Sequence, residues 1–432
     1  MKIVASVCLL MLTWVGASQA GGKLTYKGTT LQEWLKKLDK GDAAARRQAA
    51  KALHEICEEA GSDARAAVPG LIKALSDEDD QVRSTAADAL GHIGADAKSA
   101  SAALSKGLAD KVSAVRGKCA LALGGIGPDA KNAVPALIDL LKDEDPDLRV
   151  NAIAGLSGIG PGAKSAATAL IKSLNKDVDA EVRMNAASAL ANIAVDVKAV
   201  LQPLIEALKD ADEGVRGQAA VTLGGFGPEA KGSVPALVKL LQDKHPGVRG
   251  DAAHALGEVG AKDAVAALKD ALKDKDGAVR VHVAESLWKI TGEAKTVVPV
   301  LIEGLKNEDK FVRGDAAHTL GEIGKEAKAA VPTLEKLLKD KDAGVRVHAA
   351  ESLWKIDGHL ETVLPVLIEG LKHSDNSLRR EAAEALGEMG PKARAAVPEL
   401  QKLLNDRNRD VRAVAADALK KIGVKATKAP QK

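Results

Sequence analysis

Histidines and carboxylates recur at helical spacing in the second half of this 432-residue chain. Asp251, His254 and Glu258 are followed by His282, Glu285 and Lys289, and then by Asp315, His318 and Glu322. His348, Glu351 and Lys355 come next, and Glu381, Glu384 and Glu388 close the series. Spacings of three and four residues place such groups on one helix face. Imidazole with carboxylate suits a transition metal such as zinc, iron or nickel. The metal-binding candidates are therefore His254, Glu258, His282, Glu285, His318, Glu322, His348 and Glu351. The competing reading, preferred here, is a solvated face whose charges pair with one another. No catalytic residue and no cofactor can be named, because no Ser-His-Asp or Cys-His set has a usable spacing. Glycine strings such as Gly124-Gly125-Ile126-Gly127 end helices instead of joining a strand to a helix, so they do not cradle phosphate. Cys57 and Cys119 lie two repeats apart and read as small buried hydrophobes, not as a disulfide.

The elements that position these groups come from a repeat. A Val-Arg or Leu-Arg pair ends at Arg83, Arg116, Arg149, Arg183, Arg216, Arg249, Arg280, Arg313, Arg346, Arg379 and Arg412, at intervals of mostly 33 residues. Arg46 opens a divergent twelfth copy. Counting each arginine as position 0, Leu stands at +7 in all twelve copies and an apolar residue at +10, with Ala dominating +3 and +4. That is one face of a helix, and the small pair lets a neighbour approach closely. A preceding helix opens with Val-Pro in copies such as Val68-Pro69 and Val331-Pro332. Pro69, Pro135, Pro203, Pro235, Pro299, Pro332, Pro365 and Pro398 all read as first-turn prolines, whose missing N–H costs nothing. An acidic turn joins the two helices, and Gly or Gly-Pro ends the second. The expected architecture is all-α: an α-α superhelix, or α-solenoid, of about twelve two-helix repeats.

The pattern V-P-x-L-I-x-x-L-x-D-x-D-x-x-V-R-x-x-A-A-x-A-L-G-x-I-G resembles the HEAT repeat, and more narrowly the HEAT-like repeat of phycobilisome bilin lyases. The resemblance covers roughly residues 30–423. It implies that the first helices lie on a convex side and the second helices line a concave one. It also implies an Asp–Arg ladder, carried here by Asp77, Asp110, Asp143, Asp177, Asp210, Asp243, Asp274, Asp340 and Asp406, each six residues before an arginine. Asn307 and His373 replace the aspartate in two copies, where the ladder should weaken. Related repeats in deoxyhypusine hydroxylase hold di-iron through His-Glu dipeptides. This chain departs from that pattern, since His54-Glu55 is its single such pair.

Composition agrees with thin helical layers. Hydrophobic residues are 46% but aromatics only 2%, so Ala, Leu, Val and Ile must fill the core. A net charge of +3 gives no electrostatic case for nucleic acid. Lys2, the apolar run Ile3–Val15 and Ala17-Ser18-Gln19-Ala20 read as a signal peptide over residues 1–20, cleaved after Ala20. No later segment is apolar enough to span a membrane. Residues 21–41 form an N-terminal cap, with Thr30 and Glu33 as a capping box and Trp34 sealing the first layer. Residues 42–423 are the repeat array, and 424–432 a disordered Lys-rich tail.

On each second helix, positions +1, +5 and +9 lie opposite the core. In copies three to six they are small and nearly uncharged: Leu121 and Gly125, Ala154 and Gly158, Ser188 and Asn192, Val221 and Gly225. Charge depletion marks interface centres. The alternative is that the glycines relieve crowding between helices. Trp288 and Trp354 stand at +8, where most copies have Gly, and either pack into the gap between helices or anchor a partner. The partner-binding candidates are Leu121, Ala154, Ser188, Asn192, Val221, Trp288 and Trp354. The expected function is an exported, periplasmic or extracellular, monomeric and non-catalytic scaffold that binds a protein partner along the concave face. The alternative is a metal-dependent oxidoreductase like deoxyhypusine hydroxylase, or a bilin-lyase-like enzyme.

Overall fold

The computed structural model describes residues 18–20, 23–193 and 196–424. Most of the expected signal peptide and all but the first residue of the expected tail lie outside them. The chain forms two compact units, 1–222 and 223–432. Both are all-α arrays of paired helices, with twenty-four α-helices among the described residues.

Each second helix starts and stops through local chemistry. Asp79 caps Asp80–Ile93 by accepting from the N–H groups of Gln81 and Val82, and Gly94, at φ 72°, ends it. A β-carbon is strained at that φ, so glycine takes the position. The +7 leucines point inward: Leu53, Leu90, Leu123 and Leu156 have no exposed surface. Burying each contributes about 2 kcal/mol. Second helices of successive repeats pack on one another, as Asp80–Ile93 does on Ser113–Ile126.

Three features differ from expectation. First, three short strands form a small antiparallel sheet, with Ser18–Ala20 paired to Lys23–Tyr26 and that strand to Thr29–Thr30. Cleavage after Ala20 would remove the first strand. The helix Leu31–Lys40 then begins with the capping box of Thr30 and Glu33, and Trp34 is buried, donating its indole N–H to the Tyr26 carbonyl at 3.4 Å. Second, the loop after most second helices is a seven-residue 3₁₀ segment, as at Gly94–Ala100 and Gly324–Ala330. It tucks two small residues inward, such as Ala97 and Ala100, or Ala230 and Ser233. Third, Pro203, Pro299 and Pro365 sit inside Val197–Ala207, Ala294–Gly304 and Leu360–Gly370, not in their first turns. Among the described residues no 3₁₀ segment precedes these three helices, and the proline falls further into each.

The second unit shows what the tryptophans do. A β-carbon on Gly257 would lie 2.8 Å from Ser286 Oγ, and one on Gly321 2.6 Å from Ser352 Oγ. Glycine at +8 thus lets Pro246–Val259 pack tightly on Gly277–Thr291, and Lys310–Ile323 on Ala343–Asp357. Trp288 and Trp354 fill that position on the helices Gly277–Thr291 and Ala343–Asp357, each of which touches the next second helix far less.

Candidate functional site

On the second helices of copies three to six, the +5 row reads Leu121, Ala154, Ser188 and Val221. Leu121 is 38% exposed and Val221 43%. The other exposed large hydrophobics described are Val178 in a turn and Phe311 in a first helical turn, both off this row. Ala154 and Ser188 are half-buried. Asn192 is already engaged, donating from Nδ2 to Ser157 Oγ at 2.8 Å. Two of the three +9 glycines in these copies have a packing reason, whereas a β-carbon on Gly225 would meet nothing within 4 Å. A β-carbon on Gly125 would sit 2.7 Å from the Gly91 carbonyl oxygen, and one on Gly158 2.6 Å from that of Gly124. Gly125 and Gly158 therefore permit close helix approach, whereas the exposed large apolar side chains of these four helices, Leu121 and Val221, stand in the +5 row.

The second unit's face is charged and largely neutralised from within. The ammonium of Lys289 bridges Glu258 at 2.8 Å and Glu285 at 2.7 Å, and these carboxylates raise its pKa against the opposing effect of burial. Lys355 likewise joins Glu351 and Glu388. His254 faces Glu258 at 3.9 Å, and His318 faces Glu322 at 3.4 Å. Of the eight metal candidates, the structure gathers His318, His348 and Glu351, with one ligand atom from each within 4.8 Å of the others. It does not gather His254, Glu258, His282, Glu285 or Glu322 into such a group among the described residues. Trp288 and Trp354 are half-buried, and the Lys392 ammonium lies 4.9 Å from the Trp354 ring centroid.

A second group escaped the sequence reading. His54, Asp88 and His92 also bring one ligand atom each within 4.8 Å. Asp88 and His92 are one helical turn apart, a visible signal, but His54 joins them only through the register of two helices. Burial pushes the Asp88 carboxyl up, yet hydrogen bonds from His54 and Lys118 outweigh it and hold the pKa at about 2.

Along the turns runs the Asp–Arg ladder. Arg313 Nε and Nη2 donate to Asp340 at 2.8 and 2.9 Å, while Nη1 donates to the carbonyls of Asn307 and Glu308. Arg83, Arg149, Arg183, Arg249 and Arg379 make the same fork to Asp110, Asp177, Asp210, Asp274 and Asp406. Where Asn307 and His373 replace the aspartate, Arg280 and Arg346 reach exposed Glu303 and Glu369 instead. The weakening expected from the sequence is present.

The ladder sets an acid limit. Arginine hydrogen bonds hold Asp110 and Asp274 below the usual carboxylate range. At Asp210, Asp340 and Asp406, burial pulls upward but the arginine and a backbone N–H together prevail. A depressed folded pKa gives stability that is present above the unfolded value near 4 and lost as pH falls through the folded one. Asp251 and Asp315 act oppositely, because burial raises them. With five lowered ladder carboxylates against two raised ones, the melting temperature should hold between about pH 5 and 7 and drop between about 4 and 2. A melting temperature that rises across that acid window would contradict the ladder's role.

The matching family model describes HEAT repeats and covers residues 31–124, 101–191, 201–288, 271–354, 298–384 and 364–431. A PBS lyase HEAT-like repeat matches residues 182–210. No protein of curated function matches the sequence. Among solved structures, yeast importin-beta (Kap95p) is similar at TM-score 0.61 and 13% identity, over 91% of this chain and 62% of its own. The Kap95:Nup1 complex gives TM-score 0.55 and 14% identity, over 91% of this chain and 62% of the other. The complex of CpcE and CpcF of phycocyanin lyase from Nostoc sp. gives 0.40 and 26%, over 54% of this chain and 92% of the other. The importin likeness establishes the fold. With family matches spanning nearly all of both units, and the buried leucines, glycine stops and Asp–Arg ladder in place, this chain belongs to the HEAT-repeat family.

Proposed function

We propose that this protein is a non-catalytic scaffold, exported from the cytoplasm, that binds a protein partner along the row Leu121, Ala154, Ser188 and Val221. One observation carries the reading. The row leaves Leu121 and Val221 at 38% and 43% exposed with no charged side chain in it. Aliphatic surface of this kind gains from being covered, at roughly 25 cal/mol per Å². The charged face of the second unit has its lysines and glutamates already joined to one another, so a partner there would have to break existing pairs. HEAT solenoids are typically interaction scaffolds, which fits. Export rests on Lys2, the apolar run Ile3–Val15 and the Ala17–Ala20 segment.

The test uses exported material, whose N-terminus should be Gly21, and a partner captured from that fraction by crosslinking. Leu121→Asp and Val221→Asp should each weaken binding about tenfold or more, as expected for anchors in a desolvated centre. Both positions face away from the core, so stability should change by about 0.5 kcal/mol. His254→Ala and His318→Ala should leave affinity unchanged. If the histidine variants abolish binding and the aspartate variants do not, the row is not the partner surface.

A further inference from the structure

Near the start of the first unit, the second helices Ala43–Ala60 and Asp80–Ile93 pack side by side. Their facing sides carry His54 from one, and Asp88 and His92 from the other. His54 Nε2 lies 3.3 Å from Asp88 Oδ2. The two imidazoles meet edge to face, with ring centroids 5.0 Å apart. We infer that His54, Asp88 and His92 form a binding site for one divalent transition-metal ion of the zinc type, independent of the partner surface.

Three arguments support the assignment. The first is donor chemistry: two imidazoles and one carboxylate match zinc, and three protein ligands leave a fourth position for water or an incoming side chain. The second is geometry. Ligands at about 2.0–2.2 Å from zinc stand roughly 3.3 Å from each other. The donor atoms here already lie within 4.8 Å, so small side-chain rotations close the set without moving either helix. His54 and Asp88 are half-buried and held by neighbours, while exposed His92 leaves a way in. The third is electrostatics. The Lys118 ammonium sits 2.8 Å from Asp88 Oδ2, so the pocket already attracts a cation that a metal ion would displace. Glu55 is not one of the three ligands, so the site is not built on the His-Glu dipeptide.

The His318, His348 and Glu351 group is the weaker of the two. Glu351 is bound to Lys355 on its own helix, His318 faces Glu322 and His348 faces Glu381. Each donor there is drawn to a different partner; Asp88 also pairs with a lysine, Lys118, but His54 and Asp88 in addition meet each other at 3.3 Å.

The test is titration of the metal-stripped full chain with Zn²⁺ by calorimetry, and with Co²⁺ by visible absorption. Wild type should bind one equivalent more than His54→Ala/His92→Ala. The isosteric Asp88→Asn should also lose that equivalent, which guards against the double variant failing to fold. His318→Ala/His348→Ala should keep it, and Lys118→Met should bind more tightly than wild type. A wild-type chain that binds no zinc overturns the site. So does an unchanged stoichiometry in His54→Ala/His92→Ala or Asp88→Asn, or loss of the equivalent in His318→Ala/His348→Ala.

Discussion

Valine at position 158 is expected to destabilise the first unit by about 3 kcal/mol, although Gly158 is an exposed residue. A β-carbon there would lie 2.6 Å from the Gly124 carbonyl oxygen and 2.7 Å from its carbonyl carbon and Cα. These are backbone atoms of the neighbouring helix, so no rotamer change can clear them. The helices Ser113–Ile126 and Pro146–Ile159 would have to separate, uncovering the alanine-lined contact between them. Gly314→Ala is the control. Its β-carbon would rest 3.4 Å from His348 Cδ2, an ordinary contact, so helix propensity should leave the variant neutral or stabilised by up to about 1 kcal/mol. Thermal melting of both variants is the check. A wild-type melt for Gly158→Val would show that these helices part at little cost.

The second large effect is expected at Arg313. Its side chain is 7% exposed and that of Asp340 is 9%, so Arg313→Ala strands a buried carboxylate and two turn carbonyls. Losing one partner of such a pair costs about 3–5 kcal/mol. Arg280→Ala strands the carbonyls of Asp274 and Lys275 in the same way but removes a pair whose acid, Glu303, is 69% exposed, and should cost less, about 1–2 kcal/mol. An array need not unfold as one unit, so amide exchange in the flanking repeats is the better readout. Exchange should quicken around residues 307–340 in Arg313→Ala and much less around 274–303 in Arg280→Ala. Equal effects would mean that the aspartate is not the ladder's strong element.

The ladder shows how much of this molecule the sequence carried. Period, core leucines and glycine stops follow from residue type and spacing, because nearest-neighbour stacking repeats the same local problem, while the weak rungs at Asn307 and His373 came from what the HEAT-like resemblance implies. The N-terminal sheet and the 3₁₀ segments were not legible, since Gly-Pro and Gly-Ala strings read equally as open loops. Pro203, Pro299 and Pro365 misled for the same reason: whether a proline opens a helix depends on where the preceding segment ends. At the candidate site, the outward direction of Leu121 and Val221 was readable from helical phase. The division of labour between the +5 residues and the +9 glycines was not, because it depends on how closely one helix approaches the next. The His54, Asp88 and His92 cluster needed inter-helix register for the same reason.

The central claim is that the partner lies on the uncharged +5 row of copies three to six. Its most direct test is a photo-crosslinking residue placed in turn at positions 121, 154, 221, 285 and 351 of the full chain. The account predicts strong crosslinks to one partner at 121, 154 and 221, and little or none at 285 and 351. Crosslinks concentrated at 285 and 351, with positions 121, 154 and 221 silent, would contradict it.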